Sequence, residues 1–280
     1  MNSYVDLGTL KAVGGLNITG TTENARLRKL VEAYSRNIDA YVGRHFYSRT
    51  QTRYFSGNGR AYIDLPWDLI AVTTLKEDST GDAVYDTTWA AADYILAPYE
   101  AAPTGVIDLA APYTRIEVDE RSTGSQSAFR KAQRAFELAG KWGWAESTRT
   151  ATETLNEVLD TTEVGVDVSA RADIEIGHTI LIESEQMYVE SYSSNTLTVR
   201  RAVNGTTAAT HATALAISII EYPSDVREAI IIEASRMWAM KNSSFASSVG
   251  FPDTGQVQVF GGQLQPRSRS LLDPYRRVNV

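Results

Sequence analysis

The chain has 280 residues and a formal net charge of −7, from 34 acidic and 27 basic side chains. It contains no cysteine, which excludes a disulfide framework and thiolate metal sites. No apolar run approaches the roughly 20 residues of a membrane-spanning helix, and the acidic balance argues against a dedicated nucleic-acid-binding protein.

The first predicted helix follows an irregular N-terminal arm, residues 1–20, which is rich in Gly, Asn and Thr. Thr21 or Thr22 is a suitable N-cap, because a side-chain oxygen there accepts hydrogen bonds from free backbone N–H groups. Gly43 is a suitable end for this helix. Its apolar residues fall at three- and four-residue spacings and define one face: Leu27, Leu30, Val31, Tyr34, Ile38, Tyr41 and Val42.

Short strands are predicted next. Residues 47–55 are rich in Thr and aromatic side chains, as strands are. Gly57-Asn58-Gly59 predicts a hairpin turn into a second strand, 62–65, and Pro66 is expected at a sheet edge or past the end of this strand. Further short strands are predicted at 70–75, 94–96, 115–118 and 136–144.

A second β-rich segment follows a Thr/Glu-rich spacer at 146–162. Apolar residues alternate along its strands, and Asn204-Gly205 is a strong turn signal. Five or six strands within about 60 residues predict a small barrel or sandwich.

The second long helix begins only near Pro223, where a missing N–H costs nothing. Four-residue spacing places Ile230, Ala234 and Trp238 on one of its faces. We expect this face to pack on the first helix, because the small Ala234 permits close approach. The residues predicted to form this helix pairing are Leu30, Tyr34, Ile38, Tyr41, Ile230, Ala234 and Trp238.

These elements predict an α+β fold with a discontinuous domain. Residues 21–146 and 221–242 form its core of helices and short antiparallel strands, and residues 147–220 form an inserted all-β domain, barrel-like or sandwich-like. Insertions succeed at exposed loop tips, so we expect the core to fold without the insert. Residues 243–280 are predicted to be an extended C-terminal arm.

The end of this arm combines apolar residues with arginines. Such anchors suit docking on a partner by ordering on contact, and a flexible tail without a role is the alternative. The predicted docking residues are Arg267, Arg269, Leu271, Leu272, Tyr275, Arg276 and Arg277.

Side chains capable of catalysis are sparse. His45, His178 and His211 lie far apart in the sequence, whereas metal ligands converge. Glu183 and Glu185 share a strand face, but paired carboxylates act as acid and base only where a pocket shifts one pKa. We therefore predict no catalytic, cofactor-binding or metal site, and no enzymatic activity.

Five segments together resemble the head–tail connector family of tailed bacteriophages, the adaptor or head-completion proteins beneath the portal. They are LRKLVEAYSRNIDAYVGRHFY, TQTRYFSGNGRAYIDLPWDLIAVTTLKED, ADYILAP, KWGWA and YPSDVREAIIIEASRMWAMK. The resemblance covers about residues 21–145 and 222–242 and rests on a hydrophobic pattern. The inserted segment, with its E-x-M-x-V strand and R-x-x-N-G-T end, resembles a small β-module found in phage structural proteins.

The resemblance implies a structural subunit of the virion neck, assembled in the host bacterial cytoplasm. A ring, expected to have twelve subunits, joins the portal protein to a tail-side neck or tail-terminator protein. DNA passes through its lumen without sequence-specific binding, and no membrane or cofactor is involved. Candidate ring surfaces are the polar faces of the two helices and residues 115–135.

Two other functions remain open from the sequence. The inserted domain is a candidate for binding host glycan or another capsid or tail protein, with Tyr188 and Tyr192 as an exposed aromatic pair. A weaker alternative is a hydrolase that uses Glu183 and Glu185.

Overall fold

The computed structural model describes residues 2–13, 16, 18–124, 126–241, 248–250, 257–259 and 264–277. The fold is α+β. The helices are α1 Leu7–Val13, α2 Asn24–Val42, α3 Ser224–Met240 and α4 Pro266–Leu272. The first sheet contains β1 Arg49–Phe55, β2 Tyr62–Glu77, β3 Thr87–Trp89, β4 Tyr94–Ala97, β5 Tyr113–Val118 and β6 Phe136–Trp142. The second contains β7 Thr148–Thr154, β8 Gly165–Asp167, β9 Thr179–Ile182, β10 Glu185–Ser193, β11 Thr196–Arg200 and β12 Ala216–Ile220, and β13 Ser248–Gly250 pairs with β14 Val257–Val259.

The first sheet has the order β1-β6-β2-β5-β4, with β3 paired to β2. The predicted hairpin between β1 and β2 is therefore wrong, because β6 lies between them. Gly57 instead turns the chain against the loop that precedes β6: its N–H donates to the Ala132 carbonyl at 3.0 Å. A Cβ at Gly57 would lie 2.0 Å from the Arg130 carbonyl oxygen, so glycine is needed for this close approach.

Strand β2 is continuous through Pro66, where the sequence predicted a break. Its pairing with β5 shifts register between Asp64 and Leu69. Proline has no N–H to give to a ladder and is tolerated at such an irregularity.

The second sheet has the order β7-β12-β9-β10-β11-β8 and is antiparallel. It is not a closed barrel, which corrects the barrel alternative; an isolated bridge joins Leu155 to Val168 near its two edges. The predicted Thr/Glu spacer contains β7, whose Ala151 and Glu153 are buried. Polar residues form this strand because β12 supplies a partner for their backbone groups.

Helices α2 and α3 pack in one hydrophobic cluster. Gly43 ends α2 in the left-handed conformation, with φ of 71°, as predicted. The predicted threonine cap is wrong: α2 makes no side-chain cap, and the Thr21 carbonyl accepts from the Asn24 N–H at 3.0 Å.

The N-terminal segment is part of the core, which corrects the predicted arm for the described residues 2–13. Tyr4 and Leu10 are 1% and 0% exposed and belong to the same cluster as α2 and α3. The Tyr4 hydroxyl donates to Asp39 at 2.5 Å, and its ring lies 4.7 Å from the Tyr222 ring. Aromatic and aliphatic side chains in this segment bury apolar area on the helices, which a solvated arm would not do.

The chain end also folds back on the helices, which corrects the predicted extended arm for residues 264–277. Pro266 stands at the start of α4, where its missing N–H costs nothing. Leu264 and Leu272 are buried in the helix cluster. Most of residues 243–263 lie outside the described residues; β13 and β14 are the described parts of this range.

Candidate functional site: the helix core and its surrounding surfaces

The residues predicted for the helix pairing all belong to one cluster. Ile38, Ile230 and Ala234 are fully buried, and Trp238 is 8% exposed. Leu30, Tyr34 and Tyr41 pack against them with part of each side chain exposed. Trp238 also lies beneath two cations, with the Lys241 Nζ 3.6 Å and the Arg26 guanidinium 5.5 Å from its ring centroid.

Several residues predicted to dock on a partner are used within the chain. Leu272 is fully buried and Leu271 partly buried. The Tyr275 ring contacts Phe46 and Trp144, with centroids 5.4 and 5.1 Å apart. Helix periodicity explains the difference between the two leucines, because Leu272 shares the buried face of α4 with Ser268, four residues earlier, and Leu271 does not.

The arginines of this segment divide into two groups. Arg277 donates to the Leu65 carbonyl at 2.6 Å and pairs with Asp68 at 3.3 Å, so it joins the chain end to the first sheet. Arg267 and Arg276 are exposed, whereas Arg269 is half-buried on α4. The structure therefore leaves Arg267 and Arg276 as the residues of this set most open to a partner.

The second sheet, formed by the segment that the sequence predicted to be inserted and called the inserted sheet below, is joined to the helices by buried polar contacts. Tyr188 is fully buried, with its hydroxyl 2.8 Å from Ser3 Oγ and donating to Glu32 at 2.8 Å. Tyr192 is half-buried beneath the Arg171 guanidinium, 3.6 Å from its ring centroid. These two tyrosines do not form the exposed aromatic pair that the glycan-binding alternative needed.

Glu185 is the centre of a buried ionic network in the inserted sheet. Arg201 donates to its two carboxylate oxygens at 2.9 and 2.6 Å. The backbone N–H groups of Ala202 and Ala209 donate to it at 3.1 and 3.0 Å. His211 lies between two carboxylates, with Nε2 2.9 Å from Glu185 and Nδ1 2.7 Å from Glu183.

This network stabilises Glu185 in its ionised form. Burial alone would raise the pKa of Glu185, but the hydrogen bonds from Arg201, His211 and the backbone lower that pKa to about 2. A general acid needs a raised pKa. Glu183, by contrast, has a side chain that is 56% exposed. Glu185 therefore lacks the raised pKa that a general acid in the hydrolase alternative required.

The three histidines lie in separate environments, as their sequence spacing predicted. Burial, with Arg53 nearby, lowers the pKa of His45 to about 4, so its stacked contact with Tyr47 involves a neutral ring at pH 7. His178 Nε2 lies 3.4 Å from Asp6 at the N-terminal segment. Within the described residues, no group of three or more His, Cys, Asp or Glu side chains is arranged to hold a metal ion.

An exposed apolar loop, residues 98–112 between β4 and β5, lies at the start of α3. Three of its large side chains are strongly exposed: Tyr99 by 65%, Val106 by 67% and Leu109 by 79%. Asp108 fixes the loop to α3, accepting from the Ser224 N–H at 2.7 Å and from its hydroxyl at 2.6 Å. This contact joins residues that are 116 positions apart in the sequence, so no local sequence signal predicts it.

An apolar groove of about 570 Å³ lies at the other end of the helix pair. It is bounded by residues Arg26–Asn37 of α2 and the last turns of α3. Its rim carries the exposed cations Arg26 and Lys29. The residues that line it are Arg26, Lys29, Leu30, Ala33, Tyr34, Asn37, Met237 and Trp238.

A second groove, of about 550 Å³, runs along β1, the edge strand of the first sheet. Among the described residues, its lining contains three arginines and two partly exposed aromatic residues and no acidic residue. The lining residues are Arg49, Gln51, Thr52, Arg53, Tyr54, Phe55, Ser56, Trp67 and Arg134. Period-two alternation in β1 places some of them together, but Trp67 and Arg134 come from distant positions, which is why the sequence analysis missed the groove.

Comparisons with protein-family models, with curated proteins and with solved structures give no match for this chain. None of the helices in the described part of the chain is long and apolar enough to span a membrane. Function therefore has to be inferred from the surfaces described above.

Proposed function

We propose that this chain is a non-enzymatic structural subunit of a tailed-phage virion neck, which forms a ring between the portal and a tail-side protein. The sequence pattern of the connector family motivates the proposal. The packing of α2 on α3, two helices separated by most of the chain, supports it at the level of the fold. Ring formation is inferred from one observation, the positions of two apolar surfaces: the exposed loop, residues 98–112, and the apolar groove between α2 and α3.

The exposed loop and the apolar groove lie toward opposite ends of α3. Asp108 of the loop binds Ser224, the first residue of α3, whereas Trp238 of the groove lies in its last turns. Fourteen residues separate them, which is about 21 Å along a helix axis. A loop inserted into the groove of the next copy makes a head-to-tail contact, and such contacts close into rings when the rotation permits.

The two surfaces are complementary in charge as well as in polarity. The loop carries the exposed acids Glu100 and Asp108 beside its apolar side chains. The groove carries Arg26 and Lys29 at its rim. Opposite charges around an apolar contact favour the correct register and speed association. This pairing differs from the ring surfaces expected from the sequence, the polar helix faces and residues 115–135.

The lumen of such a ring needs no specific affinity for DNA. Net acidic charge opposes non-specific adhesion of DNA, and the chain carries a net charge of −7. The partners in this proposal are copies of the same chain, the portal protein and a tail-side neck or tail-terminator protein. The exposed Arg267 and Arg276 of the chain end are candidate portal contacts.

The proposal is tested by measuring the mass of the purified full-length chain by light scattering and imaging it by negative stain. We expect rings, and we expect Val106→Glu with Leu109→Glu to yield monomers. Val158→Glu is the matched control, because Val158 is also an exposed valine, at 71%, but lies in the inserted sheet region. Monomeric wild-type protein at high concentration, alone and with portal, would contradict the proposal.

A further inference from the structure

The groove along β1 concentrates positive charge on an acidic protein. Arg49, Arg53 and Arg134 line it, and among the described residues none of them has an acidic side chain within ion-pair distance. Glu137, opposite Tyr54 in the strand pairing, lies 3.9 Å from Lys76 and also interacts with the Tyr54 hydroxyl, rather than with one of the three arginines. The groove therefore has three positive charges available to an anionic ligand.

Arg53 is held in place before any ligand binds. Its guanidinium carbon lies 4.5 Å from the Trp67 ring centroid and 4.6 Å from that of Trp142. Its Nε donates to the Gln51 side chain at 3.3 Å, while Nη1 is buried and has no hydrogen-bond partner among the residues that the structure describes. A guanidinium packed against two rings presents its N–H groups with little loss of side-chain entropy.

The electrostatic surroundings of Arg53 also favour an incoming anion. Burial, with Arg49 and Arg277 nearby, lowers the pKa of Arg53 to about 10. Asp68, the nearby carboxylate, is already paired with Arg44 at 3.5 Å and Arg277 at 3.3 Å. An anion in the groove would offset the repulsion among these arginines.

Two aromatic rings distinguish the groove from a site that binds only a carboxylate ligand. Trp67 and Tyr54 are each 38% exposed, and each has an arginine stacked on it, Arg53 and Arg134 respectively. Seven residues of β1 extend the groove to roughly 24 Å. Proteins that bind single-stranded nucleic acid combine arginines, which contact the phosphate backbone, with aromatic rings, which stack on the bases.

We propose that this groove binds single-stranded nucleic acid without sequence preference, with the phosphates on the arginines and a base on Trp67. Tyr54 forms part of the groove wall, because its ring already contacts Arg134 and Tyr85. The inference does not depend on ring formation. It concerns a local surface, so it is compatible with the acidic balance of the whole chain.

The test measures the fluorescence anisotropy of a labelled twelve-nucleotide oligothymidylate titrated with the full-length chain at low salt. We expect binding that weakens at least tenfold when salt rises from about 50 to about 200 mM. Arg49→Gln with Arg134→Gln should weaken binding at least tenfold. Arg121→Gln with Arg200→Gln is the matched control: it removes the same charge from two exposed arginines that are paired with Asp119 and Glu190.

The aromatic contribution is tested separately. Trp67→Ala should weaken binding roughly tenfold, and Trp67→Phe should restore most of it, because a ring remains for stacking. If the double variant Arg49→Gln with Arg134→Gln binds as tightly as the control double variant, the proposal is overturned. Duplex DNA that binds as tightly as the single strand would also overturn it. So would a twelve-residue glutamate peptide that displaces the oligonucleotide as well as unlabelled oligonucleotide does, and that result would assign the groove to an acidic protein partner.

Discussion

Leu271 and Leu272 are neighbours in sequence but face different surroundings. Leu272 is fully buried in the helix cluster, whereas Leu271 is only partly buried against it. We expect Leu272→Ala to reduce the free energy of unfolding by about 2–5 kcal/mol, since it leaves a cavity in a packed core. Leu271→Ala should cost about 1 kcal/mol. Equal losses in denaturant titrations would show that α4 is not docked as described.

Glu185 makes the free energy of unfolding depend on pH under acidic conditions. Its folded pKa of about 2 lies below its ordinary value of 4.5, so folding favours the ionised form. The resulting stabilisation is present above about pH 4.5 and is lost as the pH falls toward 2. Denaturant titrations between these pH values should show a declining free energy of unfolding.

Removing this charge tests the same network at neutral pH. Glu185→Gln should cost about 3–5 kcal/mol at pH 7, because Arg201 is left buried without a charge partner. The difference between wild type and variant should shrink below pH 4.5. Glu183→Gln is the control, since its side chain is 56% exposed and its loss should be smaller. A difference that does not change with pH would contradict the assigned role of Glu185.

Sequence reasoning at the residue scale located apolar residues better than polar ones. Four-residue spacing was enough to place Ile230, Ala234 and Trp238 on one buried face. The burial of Glu185 could not be predicted, because Arg201 and His211 reach it across strand connections. Tyr188 was expected to be exposed. It is buried because its hydroxyl contacts Ser3, 185 residues earlier in the chain.

At the scale of elements, the contact between Asp108 and α3 joins the exposed loop to the helix. Asp108→Ala should lower the free energy of unfolding by about 1 kcal/mol, because the hydrogen bonds from Ser224 are lost. It should also speed hydrogen exchange in residues 98–112 while leaving the inserted sheet unchanged. Unaltered exchange in the loop would indicate that other contacts hold it, such as the Glu146 N–H that donates to the Pro103 carbonyl at 2.7 Å.

The elements that could be predicted were those with a clear period. The helices α2 and α3 and most strands of the first sheet lie close to their expected positions. The pairing of β1 with β6 could not be predicted, because strand order depends on distant partners rather than on local turn residues. The Thr-rich β7 and the short α4 lack a long apolar period and form through tertiary packing.

At the scale of the whole molecule, the inserted sheet is more closely joined to the helices than its position in the sequence suggests. Ile176 and Ile220 belong to the helix cluster, and Leu7 donates its N–H to the Ile176 carbonyl at 2.9 Å. Deleting residues 148–220 should therefore abolish cooperative unfolding of the remaining chain, contrary to the expectation from sequence. A cooperative transition in the deleted protein would show that the helix core folds alone.

The head-to-tail contact is tested most directly by cross-linking. The chain has no cysteine, so Val106→Cys and Ala33→Cys introduce one thiol on the loop and one in the groove. Oxidation of this double variant should give a ladder of covalent multimers, because each copy links to the next, whereas either single variant should give monomers and some dimers. A double variant that remains monomeric under oxidation, at concentrations where the chain is associated, would contradict the proposed contact.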